Sequence, residues 1–102
     1  MYLIYITCKD FEEAKEISNV LLKEKLVACT NIIDKIFSSF WWKGNLESCN
    51  ESLIIAKTSD SKVDEVIKRV KELHSYEVPD ILAIKIEKYN KEFNEWLMKE
   101  VK

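Results

Sequence analysis

VACTNIIDKIFSSFWWKGNLESCNESLIIAKT occupies residues 27–58, and its reading decides the fold. Its first half, VACTNII and then IFSSFWW, is rich in β-branched and aromatic residues, which favour strand over helix. Asp34 and Lys35 separate the two apolar runs and are expected to form a bulge or bend. KGN at residues 43–45 holds the only glycine of the chain and closes a hairpin, with the return strand read over residues 49–58 around SLIIAK. An outgoing strand of about 16 residues at ~3.3 Å each covers ~50 Å. A compact chain of this size has a radius of gyration of roughly 13 Å. The strand must therefore bend sharply or project as an arm, and Ile36, Phe37, Phe40, Trp41 and Trp42 ride on it. A projecting apolar strand with free edges needs a cover, and the simplest cover is an identical subunit. Ile36, Phe40, Trp41 and Trp42 are the expected oligomer-interface residues.

Outward from this hairpin, YLIYITC at residues 2–8 is a short apolar run suited to a central strand buried on both faces. Asp10, with Glu13 three residues on, gives a capping pair for a first helix reaching about residue 25, with Phe11, Ala14, Ile17, Leu21 and Leu22 at helical spacing. Ser61 with Asp64 is read as the start of a second helix, whose apolar face is Val63, Val66, Ile67, Val70 and Leu73. ILAIKIE at residues 81–87 gives a fourth strand, and Phe93, Trp96, Leu97 and Val101 mark a terminal amphipathic helix. The order β-α-β-β-α-β followed by α predicts one α+β domain over residues 1–102, with a ferredoxin-like antiparallel sheet, a C-terminal helix and a long hairpin arm.

Composition removes several functions. Eighteen acidic residues against 16 basic ones leave a formal charge of −2, which supplies no positive field for a phosphate backbone, so no nucleic-acid partner is expected. One glycine cannot build G-x-G-x-x-G or a Walker loop, and no organic cofactor is expected. Heavy-metal chaperone domains of the same topology carry C-x-x-C before the first helix, where this chain has Thr7, Cys8, Lys9 and Asp10. The N-terminal apolar run lacks a preceding basic stretch and is too short to span a bilayer, so a cytoplasmic protein without a membrane partner is expected. Cys8, Cys29 and Cys49 are odd in number and widely spaced, which reads as reduced thiols and not a disulfide framework.

LHSYEVPDI, residues 73–81, contains the only histidine and the only proline. His74 stands where a helix C-terminus favours an imidazolium, and Pro79 pushes Val78 into an extended conformation that starts the fourth strand. That describes a turn. The same loop also offers a nitrogen ligand in His74 and an oxygen ligand in Glu77 for a borderline ion such as Cu(II) or Zn(II), with Cys29 or a second subunit completing the set.

ACTNII (28–33), WWKGNLE (41–47), LIIAKT (53–58), KELHSYEVPDI (71–81) and FNEWL (93–97) occur in the order and spacing of the CutA divalent-cation tolerance family, which the chain resembles over nearly its whole length. The resemblance implies a homotrimer in which the hairpin arm extends into a neighbour, and a role in tolerance of copper and other divalent metal ions without catalysis. Family-typical positions present here are Cys29, Asn31, Trp42, Lys43, Gly44, Glu47, Lys57, His74, Tyr76, Glu77, Pro79 and Trp96. Some bacterial members place a cysteine in strand one and a histidine pair before the proline turn, where this chain has Ile6 and Leu73. His74 alone remains of that set, so weak metal binding is expected. The family's architecture is also similar to the P-II signalling trimers, which gives two other expectations. One is a small anionic effector held between subunits by Lys43 and Lys57 beside Tyr76; the other is a structural trimer that anchors a protein partner.

Overall fold

Alternation along the first strand sets the layers. The computed structural model describes residues 1–102, and β1 (Tyr2–Cys8) buries Ile4, Ile6 and Cys8 completely on one side, leaving Leu3 and Tyr5 half-buried on the other. α1 (Phe11–Lys23), β2 (Cys29–Trp42), β3 (Asn45–Thr58), α2 (Val63–Leu73), β4 (Ile81–Lys85) and α3 (Lys91–Glu100) follow. The four strands form one antiparallel sheet in the order β2-β3-β1-β4. This is the expected α+β ferredoxin-like arrangement with a C-terminal helix.

The core lies on one side of that sheet. Ile4, Ile6 and Cys8 of β1 meet Ile54 and Ala56 of β3, Ala14, Ile17 and Leu21 of α1, and Val66 and Val70 of α2. α3 forms a smaller cluster at the sheet end, where Leu97 and Val101 pack on Met1. At the start of α1, Asp10 accepts a hydrogen bond from the Glu13 amide at 2.8 Å, the first half of the expected pair, while the Glu13 carboxylate accepts the Lys9 amide and not that of Asp10. The helix ends with Lys25 in the left-handed region (φ 61°), the Leu26 amide donating to Leu21 O and the Lys25 amide to Leu22 O.

Ser61 does not cap α2. It lies in a 3-10 turn, Asp60–Lys62, its hydroxyl 3.2 Å from that of Ser59, and the residue preceding the helix is Lys62, which makes no side-chain cap bond. The tighter turn displaces Ser61 from the junction where its oxygen would meet free helix amides. β4 also stops at Lys85, two residues short of the predicted strand.

The return strand of the hairpin is longer than the apolar pattern indicated, starting at Asn45, while the outgoing strand is 14 residues long, slightly shorter than expected. Lys43 and Gly44 both have positive φ, 51° and 82°, the geometry of a two-residue type I′ turn. That turn pairs Trp42 with Asn45, and the ladder then runs unbroken to the bulge, taking Asn45 to Ser48, ahead of the predicted strand, into β3. Backbone pairing does not need apolar side chains where both strands face solvent. The predicted bulge is present: Ile33 pairs with Leu53 and Ile36 with Glu51, so Asp34 and Lys35 together oppose Ser52. Lys35 takes the left-handed conformation (φ 59°), and the Ser52 hydroxyl donates to Asp34 Oδ1 at 2.8 Å. The arm stretches the molecule to 45 × 26 × 22 Å.

Directly paired residues project to the same side of a sheet. Register therefore places Leu3, Tyr5, Ile33, Leu53, Ile55, Leu82 and Ile84 together on the face away from α1 and α2. This face continues past the bulge through Ile36, Phe40 and Trp42, while Phe37, Trp41 and Leu46 occupy the other side of the arm. Phe37 and Trp41 are each more than 70% exposed, at 74% and 73%.

Candidate functional site

Three element ends meet at one corner of the sheet. β1 ends at Cys8, α1 begins beside Glu13, and α2 ends before His74. Their ligand atoms, one sulfur, one carboxylate oxygen and one ring nitrogen, all lie within 4.8 Å of one another. The split β-α-β topology enforces this meeting, because α1 leaves the sheet where β1 ends and α2 runs back to the same end.

Hydrogen bonds fix two of the three members, His74 and Glu13. His74 Nε2 lies 2.8 Å from Thr7 O, which can only accept, so the ring hydrogen is on Nε2. Nδ1 then accepts the Tyr76 amide at 3.1 Å. Glu13 accepts the Lys9 amide on Oε1 at 3.1 Å and the Ser75 amide on Oε2 at 2.9 Å, pinning the loop after α2 to the start of α1. Burial works to raise the Glu13 carboxyl, but hydrogen bonds from Ser75 and Lys9, together with His74, hold it below the usual glutamate range. Cys8 has neither exposure nor a disulfide partner, and burial, followed by the charges of Glu13, Glu51 and Asp10, pushes its thiol up to about 12.

A second group adjoins the first through Tyr76. Its hydroxyl donates to Glu51 Oε2 at 2.6 Å, and burial together with this carboxylate raises the phenol above its ordinary value. Glu51 is buried in β3, just beyond the bulge. Partial burial and then the Glu51 charge raise Asp80, against a hydrogen bond from Thr7 that lowers it.

The residues proposed from sequence fall in different places. His74 is at the corner, half-buried, and Glu77 stays exposed on the loop beside it. Cys29 is elsewhere: it pairs with Lys57, which pairs with Leu3, whereas the imidazole meets Thr7. Four residues of strand, about 13 Å, separate those positions, and Cys29 lies on the open face. One chain does not bring Cys29 to His74. Lys57 Nζ instead donates to Cys29 Sγ at 3.9 Å and to Asn31 Oδ1 at 3.2 Å. Lys43 is at the arm tip, 5.4 Å from the centroid of the Trp42 ring, separated from Lys57 by about 40 Å of strand. Lys43, Lys57 and Tyr76 therefore form no common pocket within one chain.

Sequence reading missed Cys8 and Glu13 as neighbours of His74. The available signals were the shared parity of Cys8 with Ile4 and Ile6, and the place of Glu13 in the first turn of α1. As donors, thiol, imidazole and carboxylate suit a borderline divalent ion. The carboxylate oxygens keep spare lone pairs beside their amide partners, the thiol must lose its proton, and the imidazole must exchange one ring hydrogen bond.

Residues 2–100 match the family model of the CutA1 divalent ion tolerance protein. The chain belongs to this family. It is 48% identical over 94 residues to the divalent-cation tolerance protein CutA of Archaeoglobus fulgidus, covering 92% of this chain and 91% of that one. With the CutA of Pyrococcus horikoshii it shares 37% identity over 102 residues, covering 100% of this chain and 99% of that protein. The solved structure of the periplasmic divalent cation tolerance protein CutA from Archaeoglobus fulgidus superposes with a TM-score of 0.96 at 46% identity, with all of both chains covered. A single-residue variant of CutA1 from Pyrococcus horikoshii also superposes at 0.96, with 37% identity over 100% of this chain and 99% of that one. The family is named for tolerance of an ion and not for a reaction. No helix is long and apolar enough to cross a membrane.

Proposed function

We propose that the chain acts in divalent-cation tolerance as a homotrimer that binds a metal ion of the copper and zinc class weakly, through the corner that holds His74, and catalyses no reaction. The family match over residues 2–100 carries the tolerance role. Assembly rests on a separate observation, the apolar sheet face that α1 and α2 leave uncovered and that runs on into the arm. Leu82 and Ile84 are each about half exposed there, at 51% and 52%, and a patch of this kind marks an interface. Three copies is the number the CutA resemblance implies. The exchangeable partners of His74 and the high proton affinity of Cys8 favour weak binding over a structural site. The three free cysteines favour a reducing, cytoplasmic setting.

Light scattering combined with calorimetric Cu(II) and Zn(II) titration tests both parts. A mass three times the 12.1 kDa of the chain and saturable binding at micromolar metal, weakened in His74→Ala, are expected. A monomer at working concentration would remove the assembly, and the absence of saturable binding would remove the metal role. Lys57→Ala is expected to leave metal binding unchanged, because Lys57 lies on the open face.

A further inference from the structure

The donor atoms of Cys8, Glu13 and His74 come within 4.8 Å of one another where β1, α1 and α2 meet, and we propose that they together form a single-thiolate site for a thiophilic divalent ion, with Zn(II) as the ion class it fits best. This deepens the metal role proposed above and rests on it.

Donor chemistry comes first. One sulfur, one nitrogen and one oxygen is a set that magnesium and calcium, which prefer oxygen throughout, do not match, and that zinc accepts. Distance is the second argument. Zinc–ligand bonds of about 2.0–2.3 Å at tetrahedral angles put ligand atoms roughly 3.3–3.6 Å apart. The three donor atoms already lie within 4.8 Å of one another, so closing on an ion requires contraction of the order of an ångström and no rearrangement of elements. The third argument is rigidity of placement, since each donor sits at the end of a different element and all three elements pack on the same core.

Cys8 is also an odd residue to find in this core. It is 0% exposed and free, and the carboxylate of Glu13 faces it from the first turn of α1. A fully buried thiol within reach of a carboxylate and an imidazole is a poor hydrophobe, whereas a metal thiolate uses all three. Binding is written as Cys8–SH plus M²⁺ giving Cys8–S–M⁺ plus H⁺, the proton passing to solvent, with no change of oxidation state. Glu13 lowers the remaining positive charge. A three-donor set leaves one position for water, the arrangement that separates exchangeable zinc from structural zinc.

Cobalt(II) is the probe, because thiolate coordination gives it a sulfur-to-metal charge-transfer band that nitrogen and oxygen ligands do not. The full chain, in the assembly it forms, is titrated with Co(II) and then with Zn(II) as competitor. The double variant Cys29→Ser/Cys49→Ser retains only the Cys8 thiol. It is expected to keep the band at one equivalent per chain and to lose it when Zn(II) is added. Cys8→Ser is expected to abolish the band, and Glu13→Gln to weaken Co(II) binding about tenfold while circular dichroism stays native. Loss of the band in the double variant overturns the proposal whether or not Cys8→Ser folds. Metal binding with no charge-transfer band in the wild type also overturns it, while leaving the weaker role of His74 standing. Absence of any metal binding removes both.

Discussion

The two faces of the sheet contrast in completeness. On one, Ile4, Ile6, Ile54 and Ala56 are fully buried under α1 and α2, and the chain supplies its own cover. On the other, Leu82 and Ile84 stay half exposed and the apolar surface continues along the arm through Ile36, Phe40 and Trp42. A sheet patterned for burial on both sides, in a chain whose two longer helices pack on one side, leaves one face for the assembly proposed above. Folding and assembly are thus assigned to different faces, and substitutions should separate them.

The largest effect is expected at the arm. Trp41→Asp combined with Trp42→Asp removes two large apolar side chains, each contributing about 1.5–3 kcal/mol when buried against a partner. Sedimentation should then show dissociation or aggregation, and a folded trimer would break the contrast. Ile54→Ala is expected to lower stability by about 2–5 kcal/mol, as truncations in a packed core do. Denaturant unfolding should register that loss while light scattering at low temperature records an unchanged mass. Parallel loss of mass would show that the faces are not energetically distinct.

The smallest effect sharpens the boundary between the faces, where Glu51 and Asp80 approach each other. Because Asp80 is raised in the folded chain, its contribution is favourable below the ordinary aspartate value of about 3.9 and is lost as pH rises through the raised value. At pH 7 the ionised group therefore opposes folding. Asp80→Asn should raise the melting temperature slightly at pH 7 and leave it unchanged near pH 3, as measured by calorimetry. A lower melting temperature at pH 7 would show that the Thr7 hydrogen bond outweighs the repulsion.

Much of this division was legible in the sequence because its signals are local. Aromatic and β-branched runs, the Lys43–Gly44 turn and the Asp34/Lys35 interruption specify the hairpin, and the capping pair of Asp10 and Glu13 starts α1 as expected. Ser61 misled because a 3-10 turn and a capped helix share the same serine-to-acid spacing. The proposed metal corner was half legible: His74 stood out as the only imidazole, yet its neighbours are fixed by where β1, α1 and α2 end in space. Cys29 has the right chemistry for a ligand, and nothing in the sequence states that β2 holds it at the opposite end of the sheet. The first four residues of β3, Asn45 to Ser48, escaped detection because backbone pairing holds them in the ladder.

The bulge at Asp34 and Lys35 also governs how the hairpin can change length over evolution. Because two residues there share one partner, Ile33 and Ile36 stand on the same face although three positions apart. Deleting either bulge residue would leave a regular ladder with every later side chain on its present side, at the loss of the local bend. Deleting one residue of β2 beyond it would shift the pleat by one step and exchange Phe40 and Trp42 with Phe37 and Trp41 across the arm. The bulge is therefore a tolerant site for single-residue deletion, a spacer that decouples the number of residues in β2 from the identity of the surface the arm presents.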